Sequence, residues 1–268
     1  MAGTTEVADA SADGHHTSRW PLVAALGAGV LYAGVGLSLV GPGLVPWFIP
    51  LVLGVAGGSG LLVGLAGWAY EAFLADHSPG SGDLSGLYSG GMVLFLVSDV
   101  ATFAAGFVYY GFVRVGAWPP EHLPSLLGSL VVVNTLLLLA SSLTLHDGHA
   151  ALEGGNRRRF VGLLGATFTL GVVFLAGQVY EYYEFVVGEG FTLSSGVFAS
   201  AFYGLTGLHG LHVSLGVLLL GIVLGRALRG DYSAERDTSV RTVSLYWHFV
   251  DAVWVFLVAV LYVGATIG

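Results

Sequence analysis

The sequence contains no cysteine, which excludes disulfides, thiolate metal sites, iron–sulfur clusters and a Cys-ligated dinuclear copper centre. Lysine is absent as well, and all nine basic residues are arginine. No Schiff base can form on this chain, so retinal pumps and receptors leave the set of candidate membrane proteins. Charge of either sign is scarce: Asp, Glu, Lys and Arg together make up 10 % of the residues. Soluble domains carry about a quarter. The deficit is filled by apolar residues at 55 %, with a mean hydropathy of +0.80. Lipid or neighbouring helices must therefore surround most side chains.

A transmembrane helix needs roughly 20 apolar residues to cross about 30 Å of hydrocarbon. Seven runs qualify: Trp20–Val40, Val45–Tyr70, Gly91–Val113, Leu123–Leu145, Phe160–Val187, Gly196–Leu224 and Val243–Ile267. The first two are joined at Gly41, Pro42, Gly43 and Pro46, and Trp118-Pro119-Pro120 breaks the chain after the third. The expected organisation is an all-α polytopic membrane protein. A polar tail occupies residues 1–19, helices 1 and 2 residues 20–75, a polar loop 76–90 and helices 3–7 residues 91–268, all within one membrane domain. The tail has no basic stretch before an apolar core and reads as a tail, not a cleavable signal. Net charge is −8, and an acidic, lysine-free surface suits high salt.

Arginine placement orients the chain. With the N-terminus inside, the inner segments hold Arg19, Arg157, Arg158, Arg159, Arg226, Arg229, Arg236 and Arg241, and the outer segments hold Arg114. The positive-inside rule then predicts a multi-pass protein of the cell membrane with a cytoplasmic N-terminus and an external C-terminus. In the second run Gly57, Gly60, Gly64 and Gly67 recur at three- and four-residue steps. Such a face of small residues lets two helices approach closely in lipid.

Ionisable groups inside such runs need a reason, because a charge at the bilayer centre costs about 2.5–3.5 kcal/mol on insertion scales. Asp99 falls roughly 12–15 Å into the third run at about 1.5 Å per residue. It reads either as a hydrogen-bonded packing group or as a proton-exchanging carboxylate. His209 and His212 share one face of the sixth run. They could ligate a metal or haem, although no other helix centre offers a matching axial histidine. A hydrogen bond from this pair to Asp99, at similar depth, is the expected arrangement, with His212 the first candidate and His209 the second. His248 and Asp251, three apart in the seventh run, read as a local pair or a subunit contact. Glu181 and Glu184, flanking Tyr182-Tyr183, fall where aromatic belts sit and read as interfacial anchors. Arg157–Arg159 read as an orientation signal, with anionic lipid as a lesser reading. Arg226, at an inner helix end, either snorkels or grips a lipid phosphate.

Five motifs occur in order: Leu94–Asp99 (LFLVSD), Asn134-Thr135 with Leu138–Ser142, Gln178–Glu184 (QVYEYYE), Gly207–His212 (GLHGLH) and Tyr246–Trp254 (YWHFVDAVW). Together they resemble subunit III of the haem-copper, cytochrome c type respiratory oxidases, over about two-thirds of the chain from Gly91 onward. The resemblance implies seven helices, the first two splayed from a bundle of five, with phospholipids in the cleft between them. It implies a subunit without redox centres of its own, in an oxygen-reducing, proton-pumping oxidase. The haems and copper are then held by partner subunits. Subunit I is the main contact, subunit II is in the complex, and nucleic acid is no partner. The implied role is support of proton uptake, turnover stability and oxygen access. Asp99 matches the family's intramembrane, carbodiimide-reactive glutamate but is one methylene shorter. Arg226 matches an arginine that contacts lipid phosphate. His209, His212, Glu181, Glu184, His248 and Asp251 match without change. The family's second-helix arginine is missing, and Trp68-Ala69-Tyr70-Glu71 stands in that stretch. The rival readings are an independent proton or solute transporter, motivated by Asp99, His209 and His212, and subunit III of a quinol oxidase.

Overall fold

The computed structural model describes residues 19–39, 45–71, 85–116, 118–120 and 123–266. The N-terminal tail before Arg19, the Gly41-Pro42-Gly43 turn and most of the 76–90 loop lie outside the described residues. Among the described residues the regular structure is helical: α1 (Trp20–Leu39), α2 (Phe48–Ala69), α3 (Ser85–Gly116), α4 (Ser129–Glu153), α5 (Arg157–Tyr183), α6 (Val197–Arg229) and α7 (Thr238–Leu257). A π-helical segment, Glu184–Gly188, prolongs α5, and another, Val258–Val263, prolongs α7 before a last α turn at Gly264–Thr266. Among the described residues seven helices are long and apolar enough to cross a membrane, and the chain is a multi-pass, all-α membrane protein.

Several helix ends differ from the hydropathy runs. The expected polar segment His146–Arg159 is mostly helix, because α4 continues to Glu153 and α5 starts at Arg157. Helices outlast the hydrocarbon, and hydropathy reports only the lipid thickness. The turn between them closes on Gly155 (φ +73°), with Asn156 N–H reaching back to the Ala151 carbonyl, and the Asn156 side chain then accepts from Arg159 N–H at 3.1 Å. The opposite error occurs at the start of α4. Residues 123–128, though apolar, are not helical. Pro124 supplies no N–H for a helix. Ser125 is tied by its N–H (3.1 Å) and hydroxyl (2.7 Å) to the Glu189 carboxylate, and Leu126 is buried.

The chain divides into two compact units, residues 1–81 and 82–268. In the first, α1 and α2 pack through glycine. A Cβ added to Gly57 would fall on the Leu31 backbone, one on Gly64 on the Ala24 backbone, and one on Gly67 on the Trp20 ring. At Gly60 it would stand 3.3 Å from the Gly27 Cα. The whole predicted stripe therefore faces α1, and dispersion between closely spaced backbones holds the pair.

In the second unit α3–α7 form a bundle whose core is aromatic. Trp247, Trp254, Tyr246, Tyr262, Phe160, Phe174 and Phe202 are fully buried. Trp247 of α7 is received by glycines on two other helices, since a Cβ would meet its ring at 2.8 Å from Gly171 of α5 and at 2.7 Å from Gly216 of α6. Its indole N–H, which must not be left unbonded in an apolar core, donates to Ser141 Oγ of α4 at 2.9 Å. This one side chain locks α4, α5, α6 and α7 together at mid-bundle.

Candidate functional site

Asp99 lies on α3 and His212 on α6, and the bundle brings His212 Nε2 to 3.0 Å from Asp99 Oδ2. The approach is close but angled, short of a well-aligned hydrogen bond. His212 Nδ1 lies 2.8 Å from the Leu208 carbonyl one turn back. A carbonyl only accepts, so Nδ1 carries a hydrogen. The remaining ring nitrogen, Nε2, faces the carboxyl. Phe103 (5.2 Å between ring centroids) and Tyr246 (6.5 Å) flank the imidazole, and Tyr246 donates its hydroxyl to the His212 carbonyl at 3.0 Å. Of the two histidines considered for Asp99, the fold selects His212.

His209, one turn earlier, is fully buried elsewhere in the bundle. Its ring stacks on Trp254 of α7 at 5.2 Å and 24°, with Phe174 of α5 edge-on at 6.2 Å. The shared helical face thus separates at the level of contacts, because His212 turns to α3 while His209 is enclosed by α5 and α7.

His248 and Asp251 meet through a third residue and not as a local pair. Ser142 of α4 lies 2.8 Å from His248 Nδ1 and hydrogen-bonds Asp251 Oδ2. Ser142 belongs to the Leu138–Ser142 motif, which by itself assigns it no role beside the two α7 groups. The signal was present, since Ser141-Ser142 is a polar pair within the Leu123–Leu145 run, and each hydroxyl serves a different α7 side chain.

Glu181 departs from the anchoring expected of it. It is buried at 4 % exposure and accepts from Gln178 Nε2 (2.6 Å) and from the Tyr262 hydroxyl (3.0 Å), joining α5 to the π-segment after α7. A buried carboxyl with two donors is a cross-link, and the physical reason for the difference is helical phase. Glu181 falls on the bundle face of α5, whereas Tyr183 and Glu184 fall on its exposed side. Tyr262 carried no motif of its own.

Arg226, in the last turn of α6, lies 3.4 Å from Asp231 and 5.2 Å from the Tyr232 ring. Burial pushes the Tyr232 hydroxyl above the usual phenol range, and the Arg226 charge opposes that rise. An intramolecular carboxylate therefore faces the guanidinium. Nearby, Arg157 of the expected orientation signal donates to the Ala227 (3.2 Å) and Leu228 (2.8 Å) carbonyls, closing the C-terminal end of α6.

The family model described as Cytochrome c oxidase subunit III matches residues 17–266. Cytochrome c oxidase subunit 3 of Synechocystis sp. is 43 % identical over 175 residues, covering 64 % of this chain and 73 % of that protein. The protein of the same name from Thermostichus vulcanus is 38 % identical over 195 residues, covering 72 % of this chain and 93 % of its own. That of Osphranter robustus is 34 % identical over 260 residues, covering 91 % and 94 %. With the seven-helix fold and a match along almost its whole length, the chain belongs to the cytochrome c oxidase subunit III family, whose members work within a complex of oxidase subunits.

Proposed function

We propose that this chain is the non-catalytic partner of a haem-bearing subunit I, supporting its proton uptake, its endurance through turnover and its access to oxygen. The observation that carries the reading is the Asp99–His212 pair, an acid and a base 3.0 Å apart inside a membrane bundle. Each group gives the other a polar partner in an otherwise apolar part of the bundle. Such a pair can sense or relay protonation without the full cost of a lone buried ion. Subunit I is the main neighbour, and subunit II completes the complex. Haems and copper reside in those partners, and this chain brings structural phospholipids, with Arg226 at a headgroup. The complex sits in the cell membrane with the arginine-rich helix ends in the cytoplasm.

The test is the intact oxidase carrying Asp99→Asn or His212→Ala, followed for oxygen consumption through many turnovers and for proton uptake after a pulse of oxygen. Expected is normal initial turnover with accelerated inactivation and slower proton uptake in both variants. Unchanged uptake and lifetime would remove the pair from that role. Proton or solute flux through the chain reconstituted alone would favour the transporter instead.

A further inference from the structure

The ends of α4 and α7 carry a side-chain cluster that the oxidase role does not use. His149 Nε2 lies 2.9 Å from Asp237 Oδ2 and 3.9 Å from Glu153 Oε1, and one ligand atom from each residue falls within 4.8 Å of the other two. His149 and Glu153 are four apart on α4, which places them on one face, and Asp237 reaches them from the residue preceding α7.

A His–Asp hydrogen bond would account for two of the three groups. Two further observations point to a cation. Asp237 occupies the N-cap of α7, where an aspartate ordinarily accepts from the first free N–H groups, yet its side chain makes no cap hydrogen bond and turns to His149. Glu153 is the last residue of α4, where the helix dipole disfavours a negative charge. Each acid gives up or opposes a helix-end interaction, and a positive ion between them compensates both.

We infer that His149, Glu153 and Asp237 form a site for a borderline divalent cation of the zinc class, clamping the end of α4 to the start of α7. One imidazole and two carboxylates suit zinc. Ligand atoms at about 2.0–2.2 Å from such an ion stand roughly 3–4 Å apart, close to the spacing seen. For Nε2 to ligate, the imidazole carries its hydrogen on Nδ1, so binding exchanges the 2.9 Å His149–Asp237 hydrogen bond for metal bonds to both side chains. Glu153 is 64 % exposed at its side chain, so ion and water reach the site from the aqueous phase, and water completes the coordination.

The test uses the full chain in detergent, stripped with a chelator, loaded with zinc chloride and desalted. Bound zinc is counted by elemental analysis, and thermal unfolding is followed by circular dichroism. Expected is about one equivalent of retained zinc and a raised unfolding temperature. Glu153→Gln, exposed and harmless to the fold, weakens binding by on the order of 10- to 100-fold, the range that even indirect partners of a metal cost. His149→Ala and Asp237→Asn abolish both the retention and the thermal shift, whereas Asp147→Asn, on the same helix but outside the triad, keeps them. Absence of retained zinc in the unaltered chain, or equal retention by Glu153→Gln and the unaltered chain, would overturn the assignment.

Discussion

At the scale of single residues, several buried polar groups act as joints between two helices. Asp99 needs His212, so their substitutions should not add. In a double-mutant cycle of Asp99→Asn and His212→Ala, unfolding in mixed micelles should show a coupling of about 1 kcal/mol, typical of intramembrane polar contacts. Additive losses would mean that the 3.0 Å approach carries no energy. Ser142 presents a different balance, since His248 Nδ1 and Asp251 both depend on its one hydroxyl. Ser142→Ala should therefore cost about 1–3 kcal/mol in the same assay, the price of leaving buried polar atoms unbonded. A cost near zero would mean that water replaces the hydroxyl. These residues show how far the sequence is legible. Asp99 and His212 stand out because charge is conspicuous in an apolar run. Ser142 does not, because a serine or threonine hydroxyl in a membrane helix usually bonds its own backbone one turn back, as Thr169 does with Gly165, and Tyr262 does not, because one tyrosine near a helix end reads as an interfacial aromatic. Only the packing distinguishes a serine that bonds itself from one that joins two helices.

At the scale of elements, the glycine spacing of α2 was readable because the three- and four-residue steps keep to one face, which sets it apart from the general abundance of glycine in this chain. The structure adds which contacts are backbone. The Cβ of a residue at Gly64 would strike Ala24 N and Cα, atoms that cannot rotate away, while Gly58 faces open space. Gly64→Leu should then lower the unfolding free energy of the chain in micelles by about 1–3 kcal/mol through overpacking. Gly58→Ala should be neutral or stabilising by up to about 1 kcal/mol, from helix propensity alone. Equal effects at the two sites would contradict close packing of α1 on α2. Helix ends were less legible for a physical reason. Hydropathy cannot see Pro124 withholding an N–H, Asn156 capping α5, or the π-segments at Glu184–Gly188 and Val258–Val263. The second of these contains Tyr262, the donor to Glu181, so one of the buried joints depends on an irregularity that no apolar run announces.

At the scale of the whole molecule, the distribution of arginine is the feature that acts over the longest distance. In the 82–268 unit one set of helix ends, the C-termini of α4 and α6 and the N-termini of α5 and α7, carries Arg157, Arg158, Arg159, Arg226, Arg229, Arg236 and Arg241. The opposite ends carry Arg114. Part of that positive charge is spent on local work: Arg157 closes α6, and Arg226 and Arg229 lie 3.4 and 3.8 Å from Asp231. The positive-inside rule depends on the count of basic residues near helix ends and discounts neighbouring acids, so the local pairing does not cancel the orientation. The absence of cysteine makes this testable without a background signal. A single Glu235→Cys, in the loop between α6 and α7, and a single Leu193→Cys, in the loop between α5 and α6, mark the two sides on exposed residues. Intact cells treated with a membrane-impermeant maleimide should label Leu193→Cys and spare Glu235→Cys until the membrane is opened. The reverse pattern would place the arginine-rich ends outside, and with them the His149–Glu153–Asp237 cluster.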